Sequence, residues 1–192
     1  MGRKITISPY VYLLLPIAFL LLPLRWVLAW GLAVAVHETG HYLALRLCSI
    51  PIWAVEITPF GVRMHTGELQ GVEALVCSLA GPFAGLLLII LSRYLPYTAL
   101  CAFLQAAFNL LPIYPLDGGR ALRALLAIFI SRESTVSAIE NLIHFLVAGV
   151  MAYIMWHLDW GIVPIFLFLG IFTQKFLANR RNNGYNRGEN DF

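Results

Sequence analysis

Two histidines lie four residues apart at His37 and His41, and Glu38 directly follows the first of them. Residues four apart lie on the same face of a helix, so both imidazoles can bind one metal ion. Chance is a poor explanation, because about 0.005 strings of the form His-Glu-x-x-His are expected in a chain of this composition. The alternative is a helix whose neighbours satisfy its polar residues. That alternative is weaker inside a membrane, where ionisable groups are costly and mark function.

A catalytic zinc site commonly has three protein ligands and keeps one position for water. Asp117 is the best-placed third ligand, because it lies in the segment 112–119, which contains two prolines and ends in two glycines. Such a segment breaks a regular helix. Irregular backbone at membrane depth occurs only where protein or a watery cavity surrounds it. We therefore expect Asp117 at a broken helix end, at about the level of His41.

Other interpretations of Asp117 stay open from the residues alone. Its side chain is also suited to cap the helix that follows, or to pair with Arg120 or Arg123. The third ligand could instead come from Glu140 or His144, which are four apart and share one face of a later helix. A polar pair at the membrane interface explains those two residues equally well.

The composition indicates a membrane protein. Hydrophobic residues make up 60% of the 192 and charged residues only 12%, and the mean hydropathy is +0.78. The predicted fold class is all-α, a polytopic membrane bundle of about six helices, since several apolar runs reach the length that crosses a bilayer. One domain, 1–178, precedes a polar cytoplasmic tail, 179–192. The spans are expected at roughly 10–24, 26–47, 72–91, 98–114, 136–156 and 160–177.

Basic residues orient this bundle. With six spans, eleven of the 13 Lys and Arg share one side, and Arg25 and Arg93 lie on the other. Cytoplasmic loops carry the basic excess, so both termini of this multi-pass cell-membrane protein are expected in the cytoplasm. His41 and His37 precede Arg46 on the second span, which places the site roughly 8 to 14 Å below the cytoplasmic boundary. The net charge of +3 reflects this bias, and no nucleic-acid partner is expected.

Apolar and polar residues alternate on both sides of the break at Pro59–Gly61. Period-two alternation around a Pro/Gly turn predicts a membrane-associated β-hairpin after the second helix, at about 53–64. An ordinary connecting loop is the alternative.

In the third span, Gly81 and Gly85 form a small-xxx-small pair. Pairs of this kind let two membrane helices approach closely. We expect the third helix to pack against the helix that carries the two histidines.

Three segments in this order resemble the site-2 protease family of intramembrane zinc metalloproteases: His37–His41, Ala80–Pro82 and Asn109–Gly119. The resemblance covers about 10–177. It is closest to the branch of the stage IV sporulation protein FB, whose core also has six spans.

Carried over by position, the resemblance implies that His37, His41 and Asp117 bind one Zn²⁺ ion. It implies that Glu38 is the catalytic base, and that Asn109 positions the substrate or stabilises the transition state. The implied reaction is hydrolysis of a peptide bond in or near a transmembrane segment.

The same resemblance implies a membrane-embedded or membrane-associated protein substrate, such as a membrane-tethered transcription regulator or a pro-sigma factor. It also implies sporulation as the context and an inhibitory membrane partner. Members of that branch commonly carry a CBS domain after the last span, for which 178–192 leaves no room, and no PDZ domain is expected either. Val62 follows Gly61 where the family's membrane-dipping loop usually has a second glycine.

Two other classes of protein compete with a protease. A metal or proton transporter would need ionisable groups across both leaflets, and the outer halves of the predicted spans contain almost none. A catalytically silent scaffold of the same fold has no need for Glu38 beside the metal ligands.

Overall fold

The computed structural model describes residues 4–58, 61–67 and 69–158. The sixth predicted span, 160–177, and the predicted tail, 179–192, lie outside the described residues.

Helices account for most of the described chain, and a small sheet accompanies them. In chain order the elements are β1 Lys4–Ile7, α1 Pro9–Leu21, α2 Leu24–Leu47, β2 Ile52–Thr58, β3 Gly61–Thr66, α3 Gly71–Leu87 with a 3₁₀ extension Leu88–Leu91, α4 Pro96–Asn109, α5 Asp117–Phe129 and α6 Glu133–Leu158.

Helices occupy the first, second, third and fifth predicted spans. The fourth span was predicted to reach Tyr114, but α4 ends at Asn109. The physical reason is Pro112 and Pro115, which cannot donate a helical hydrogen bond and disfavour helical backbone before them. The chain then starts a separate helix, α5, which had no place among the predicted spans.

The structure gives partial support to a membrane location. Among the residues described, Gly71–Leu91 is the one helical segment long and apolar enough to cross a membrane by length and composition, and Pro9–Leu21 is apolar but shorter. Helix α2 has 24 residues, but the polar residues of the site and its arginines lower its hydropathy. Helix α1 is strongly apolar yet has no buried residue in the described fold. The number of spans stays a prediction.

The buried residues of α2 are mainly small ones, Ala29, Ala33, Gly40 and Ala44, together with His37 and Leu45. Small residues let the backbones of neighbouring helices come close, and α3 packs here. A side-chain carbon placed on Gly40 would overlap the carbonyl of Ala80 and the side chain of Ala84 on α3. The predicted packing of the third helix against the helix that carries the two histidines is therefore confirmed.

The predicted hairpin is present, and the alternative of an ordinary loop is wrong. Strand β2 pairs antiparallel with β3, with Glu56 opposite Arg63 and a register irregularity between Ile52 and Ala54. The sheet has a third strand, however, in the order β1-β2-β3. Strand β1 runs parallel to β2 and lies before the first predicted span, where no strand was predicted from the sequence.

Candidate metal centre

Helix α2 directs two imidazoles toward one point. His37 and His41 lie one turn apart, with side chains 4% and 16% exposed. Their Nε2 atoms are 3.2 Å from each other. This is the arrangement that the four-residue spacing predicts.

The first residue of α5 meets these imidazoles. Asp117 Oδ2 lies 3.1 Å from Nε2 of His37 and 3.2 Å from Nε2 of His41. The residue before α5, Leu116, occupies the capping position, and no side chain caps this helix end. Asp117 therefore does not cap the helix, because its carboxylate is directed at the two histidines.

Arg123, considered as a partner of Asp117, and Glu140 and His144, considered as alternative third ligands, have other partners in the structure. Arg123 forms ion pairs with Glu133 and with Glu140, the latter at 2.8 Å. The ring of His144 lies near backbone carbonyls, 2.9 Å from that of Glu140 and 3.4 Å from that of Tyr114. In the described part of the chain, His37, His41 and Asp117 form the group that could hold a metal ion.

The donor set fits Zn²⁺. Ligand atoms about 2.0 to 2.1 Å from a tetrahedral zinc ion lie about 3.3 to 3.4 Å from one another. The three donor atoms are 3.1 to 3.2 Å apart, so a small relaxation would accommodate the ion. Nδ1 of His41 donates to the Cys77 carbonyl oxygen over 2.7 Å. In the neutral ring this leaves a lone pair on Nε2 of His41, directed at the point that it shares with Nε2 of His37 and Oδ2 of Asp117.

Glycines make the approach of α5 and α3 to the site possible. Side-chain carbons on Gly118 and Gly119 would overlap the backbone of residues 110–114, so this loop packs directly on the start of α5. A carbon on Gly81 of α3 would overlap the ring of His41. The two glycines after Asp117 and the one in α3 therefore set the positions of a carboxylate and an imidazole.

Glu38 lies beside the three donors and is tied to the hairpin. Its Oε1 accepts a hydrogen bond from the backbone N–H of Val62 over 3.0 Å. Gly61 precedes this amide with φ +136°, and a side-chain carbon there would lie 2.6 Å from the same oxygen. The start of β3 and the Glu38 carboxylate thus fit together only with glycine at 61.

Glu38 and His41 line a cavity of about 310 Å³ together with β3 and residues of α3 and α5. Arg120 is the α5 residue in its wall. Asn109 is half-buried at the end of α4 and is not among the residues that line this cavity. The structure therefore brings four of the five predicted site residues together and leaves Asn109 outside the cavity wall.

Three contributors to the site were absent from the sequence-based prediction: the Val62 amide, the Cys77 carbonyl and Arg120. The first two are backbone groups, and no residue type signals them. The third had a usable signal, since Arg120 lies one helical turn after Asp117 and therefore on the same face.

Fold and centre together define a helical protein in which two histidines and an aspartate that could hold a metal ion converge beside a glutamate. Comparisons with known proteins support the peptidase M50 (site-2 protease) family. The model of peptidase family M50 matches residues 78–153, which contain Asp117.

Two relatives come from Methanocaldococcus jannaschii. A zinc metalloprotease is 30% identical over an alignment of 109 residues that covers 50% of this chain and 32% of that protein. The matched region therefore spans about a third of the curated relative. The solved structure of a site-2 protease has a TM-score of 0.62, with 22% identity over 85% of this chain and 83% of that chain. At this identity the likeness shows a shared fold.

Proposed function

We propose that this chain is an intramembrane zinc metalloprotease that hydrolyses a peptide bond in or near a membrane segment of a protein substrate. The observation that carries the proposal is the convergence of the His37, His41 and Asp117 donor atoms beside Glu38, which lines a cavity together with His41. A fixed three-ligand centre with an adjacent carboxylate suits hydrolysis better than transport, which needs a series of sites. The names of the relatives, a zinc metalloprotease and a site-2 protease, agree with this reaction.

His37, His41 and Asp117 would hold the zinc ion. Bound zinc activates water as a nucleophile and polarises the scissile carbonyl. His41 is oriented for this by its bond to the Cys77 carbonyl, a contact of the kind that fixes a ligand's tautomer and ring angle. Asp117 is oriented by the close packing of α5 on the loop before it.

Glu38 would move the proton. One of its oxygens is held by the Val62 amide, which leaves the other oxygen to accept a proton from the attacking water. The resulting carboxylic acid then delivers that proton to the leaving amine, so the carboxylate is regenerated. Asn109 would position the substrate or stabilise the developing oxyanion, a role that rests on the resemblance of its motif.

The hairpin would hold the substrate. Strand β3 is the last strand of the described sheet and supplies one wall of the cavity from Val62 to Thr66. A helical substrate must unwind before water reaches its backbone. Addition of the unwound segment to the edge of β3 would supply the hydrogen bonds that its helix loses.

The membrane setting and the substrate class belong to the same proposal. Extensive exposed apolar surface, including Leu20 at 84% and Phe129 at 80%, suits contact with lipid. The distribution of basic residues supports cytoplasmic termini and a site that opens to the cytoplasm. A substrate such as a membrane-tethered regulator or pro-sigma factor, an inhibitory membrane partner and a place in the sporulation protein branch rest on the motif resemblance.

The test is cleavage by the purified, zinc-loaded protein in proteoliposomes. A set of single-span peptides would be incubated with the wild type, with Glu38→Gln and with Glu73→Gln, whose exposed carboxylate lies at the start of α3. We expect products, identified by mass spectrometry, from the wild type and Glu73→Gln and none from Glu38→Gln, with zinc bound in all three. Full turnover by Glu38→Gln would remove Glu38 from the proton-transfer role.

A further inference from the structure

Arg120 stands in the wall of the cavity that contains Glu38 and His41. It lies one helical turn after Asp117, so it projects from the same side of α5 as the metal-ligating carboxylate. Within the described residues, no carboxylate lies within ion-pair distance of its guanidinium, whereas Arg123 on the same helix has two such partners.

The other charges of the cavity are already engaged. Arg63 and His65 of β3 also line it, and both face Glu56 of β2, at 3.8 and 3.9 Å. Glu38 is the carboxylate in the wall among the residues that the structure describes; it accepts a hydrogen bond from the Val62 amide and lies beside the His37, His41 and Asp117 donor atoms. Arg120 is therefore the wall's cation without an anionic partner among the residues described.

Arg120 is exposed, so its guanidinium is accessible to a ligand that enters the cavity. Leu45, Met64 and Leu69 line the same cavity, so an uncharged, apolar substrate segment can lie beside this cation. The planar guanidinium can bind both oxygens of a carboxylate at once, so arginine binds acidic groups selectively.

We infer that Arg120 binds an acidic side chain of the substrate, close to the bond that is cleaved. This rests on the proposed function, because the cavity that presents Arg120 is the one in which Glu38 would act. A substrate segment lying along β3 passes through the same cavity and can bring a carboxylate to α5. A lipid phosphate would have to leave the membrane surface and enter this cavity, so the substrate is the favoured source of the anion.

The experiment compares Asp with Asn in an otherwise uncharged single-span peptide. The acidic residue is moved one position at a time through the residues on either side of the cleavage site. The wild type should favour Asp over Asn by about tenfold in kcat/KM at one or two positions, as expected for one charge-assisted contact. Arg120→Gln should lose this preference, Arg120→Lys should keep part of it, and Arg120→Glu should favour Lys at those positions.

Binding measured without cleavage separates this inference from the proposed function. The Asp and Asn peptides, labelled with a fluorophore, are titrated with zinc-loaded Glu38→Gln and with Glu38→Gln/Arg120→Gln. A preference for Asp in the first protein only supports the role of Arg120, even if no peptide is hydrolysed by the wild type.

Arg132→Gln is the matched control, because it removes an exposed arginine from the α5–α6 connection, away from the cavity wall. It should keep the full preference for Asp. An equal preference in Arg120→Gln, or none at any position in the wild type, would overturn the inference. So would the finding that Arg120→Gln alters only binding to vesicles containing phosphatidylglycerol, which would identify Arg120 as a lipid contact.

Discussion

At the scale of single residues, the site depends on groups that position the reacting side chains. His41 is fixed between the Cys77 carbonyl and the metal-binding point, and Glu38 is fixed by the Val62 amide. The residue types at His37, His41 and Asp117 could be read from the sequence. The two backbone contacts could not, because they depend on how α3 and the hairpin lie against α2.

Gly61 gives a direct test of the contact between Glu38 and the hairpin. Alanine there would be strained at φ +136° and would press on Glu38 Oε1. A backbone in such a glycine-only region is destabilised by about 1 to 3 kcal/mol when a side chain is added. We expect Gly61→Ala to lower kcat and the midpoint of thermal unfolding while zinc content, measured by mass spectrometry, stays the same.

Gly67→Ala is the control for this substitution. A side-chain carbon at 67 would meet only the Trp53 ring at 3.9 Å, an ordinary contact. Its kcat should match the wild type. Equal kcat in Gly61→Ala would show that the hairpin does not constrain Glu38.

At the scale of elements, the position of the ligands follows from how closely α2, α3 and α5 approach one another. The break after α4 was predictable from its prolines and glycines, and so was the packing of α3 on α2 from its small residues. Strand β1 was not predictable, because four residues, Lys4–Ile7, carry little pattern and their partner is the distant Ala54–Ile57. Long-range pairing leaves no local signal in so short a segment.

Gly81→Ala should disturb the metal centre without replacing a metal-ligating residue. The added carbon would overlap the ring of His41, so the ring or α3 must move. We expect weaker zinc binding, by about tenfold or more as for changes in the groups that orient ligands, measured by competition with a chelator. Gly31→Ala, on an open face of α2, should bind zinc as the wild type does.

The ion pairs between α5 and α6 should stabilise the helix that carries Asp117. Arg123 joins Glu140, whose side chain is 12% exposed, and Glu133. Arg123→Ala leaves the Glu140 carboxylate without its cation, and we expect a loss of about 1 to 3 kcal/mol in the free energy of unfolding. Adding Glu140→Gln to this variant should restore part of that loss in denaturant titrations, since it removes the unpaired charge. An additive loss would argue against the pairing.

At the scale of the whole molecule, the exposed apolar surface predicts a location in the membrane. The distribution of the basic residues predicts that the site opens to the cytoplasm. Composition was enough to predict a membrane protein, but the number of spans depends on residues beyond 158. It also depends on α2, where the chemistry of the site interrupts the apolar run. The polar residues His37, Glu38 and His41 therefore lower the mean hydropathy of α2.

The orientation has its own test. In a variant without native cysteines, Ser131→Cys in the α5–α6 connection should react with a membrane-impermeant maleimide in inside-out vesicles. Ser92→Cys, after the third predicted span, should react in intact cells. Both serines are exposed. The opposite labelling pattern would reverse the topology and place the site toward the outside.

The central claim is that His37, His41 and Asp117 share one metal ion. Its most direct test is the zinc content of purified protein, combined with X-ray absorption at the zinc edge. We predict one zinc per chain with two imidazole nitrogens and a carboxylate oxygen among its ligands, a markedly lower content in Asp117→Ala, and an unchanged content in Glu73→Ala. Unchanged zinc and an unchanged absorption spectrum in Asp117→Ala would contradict the claim and place the third ligand elsewhere.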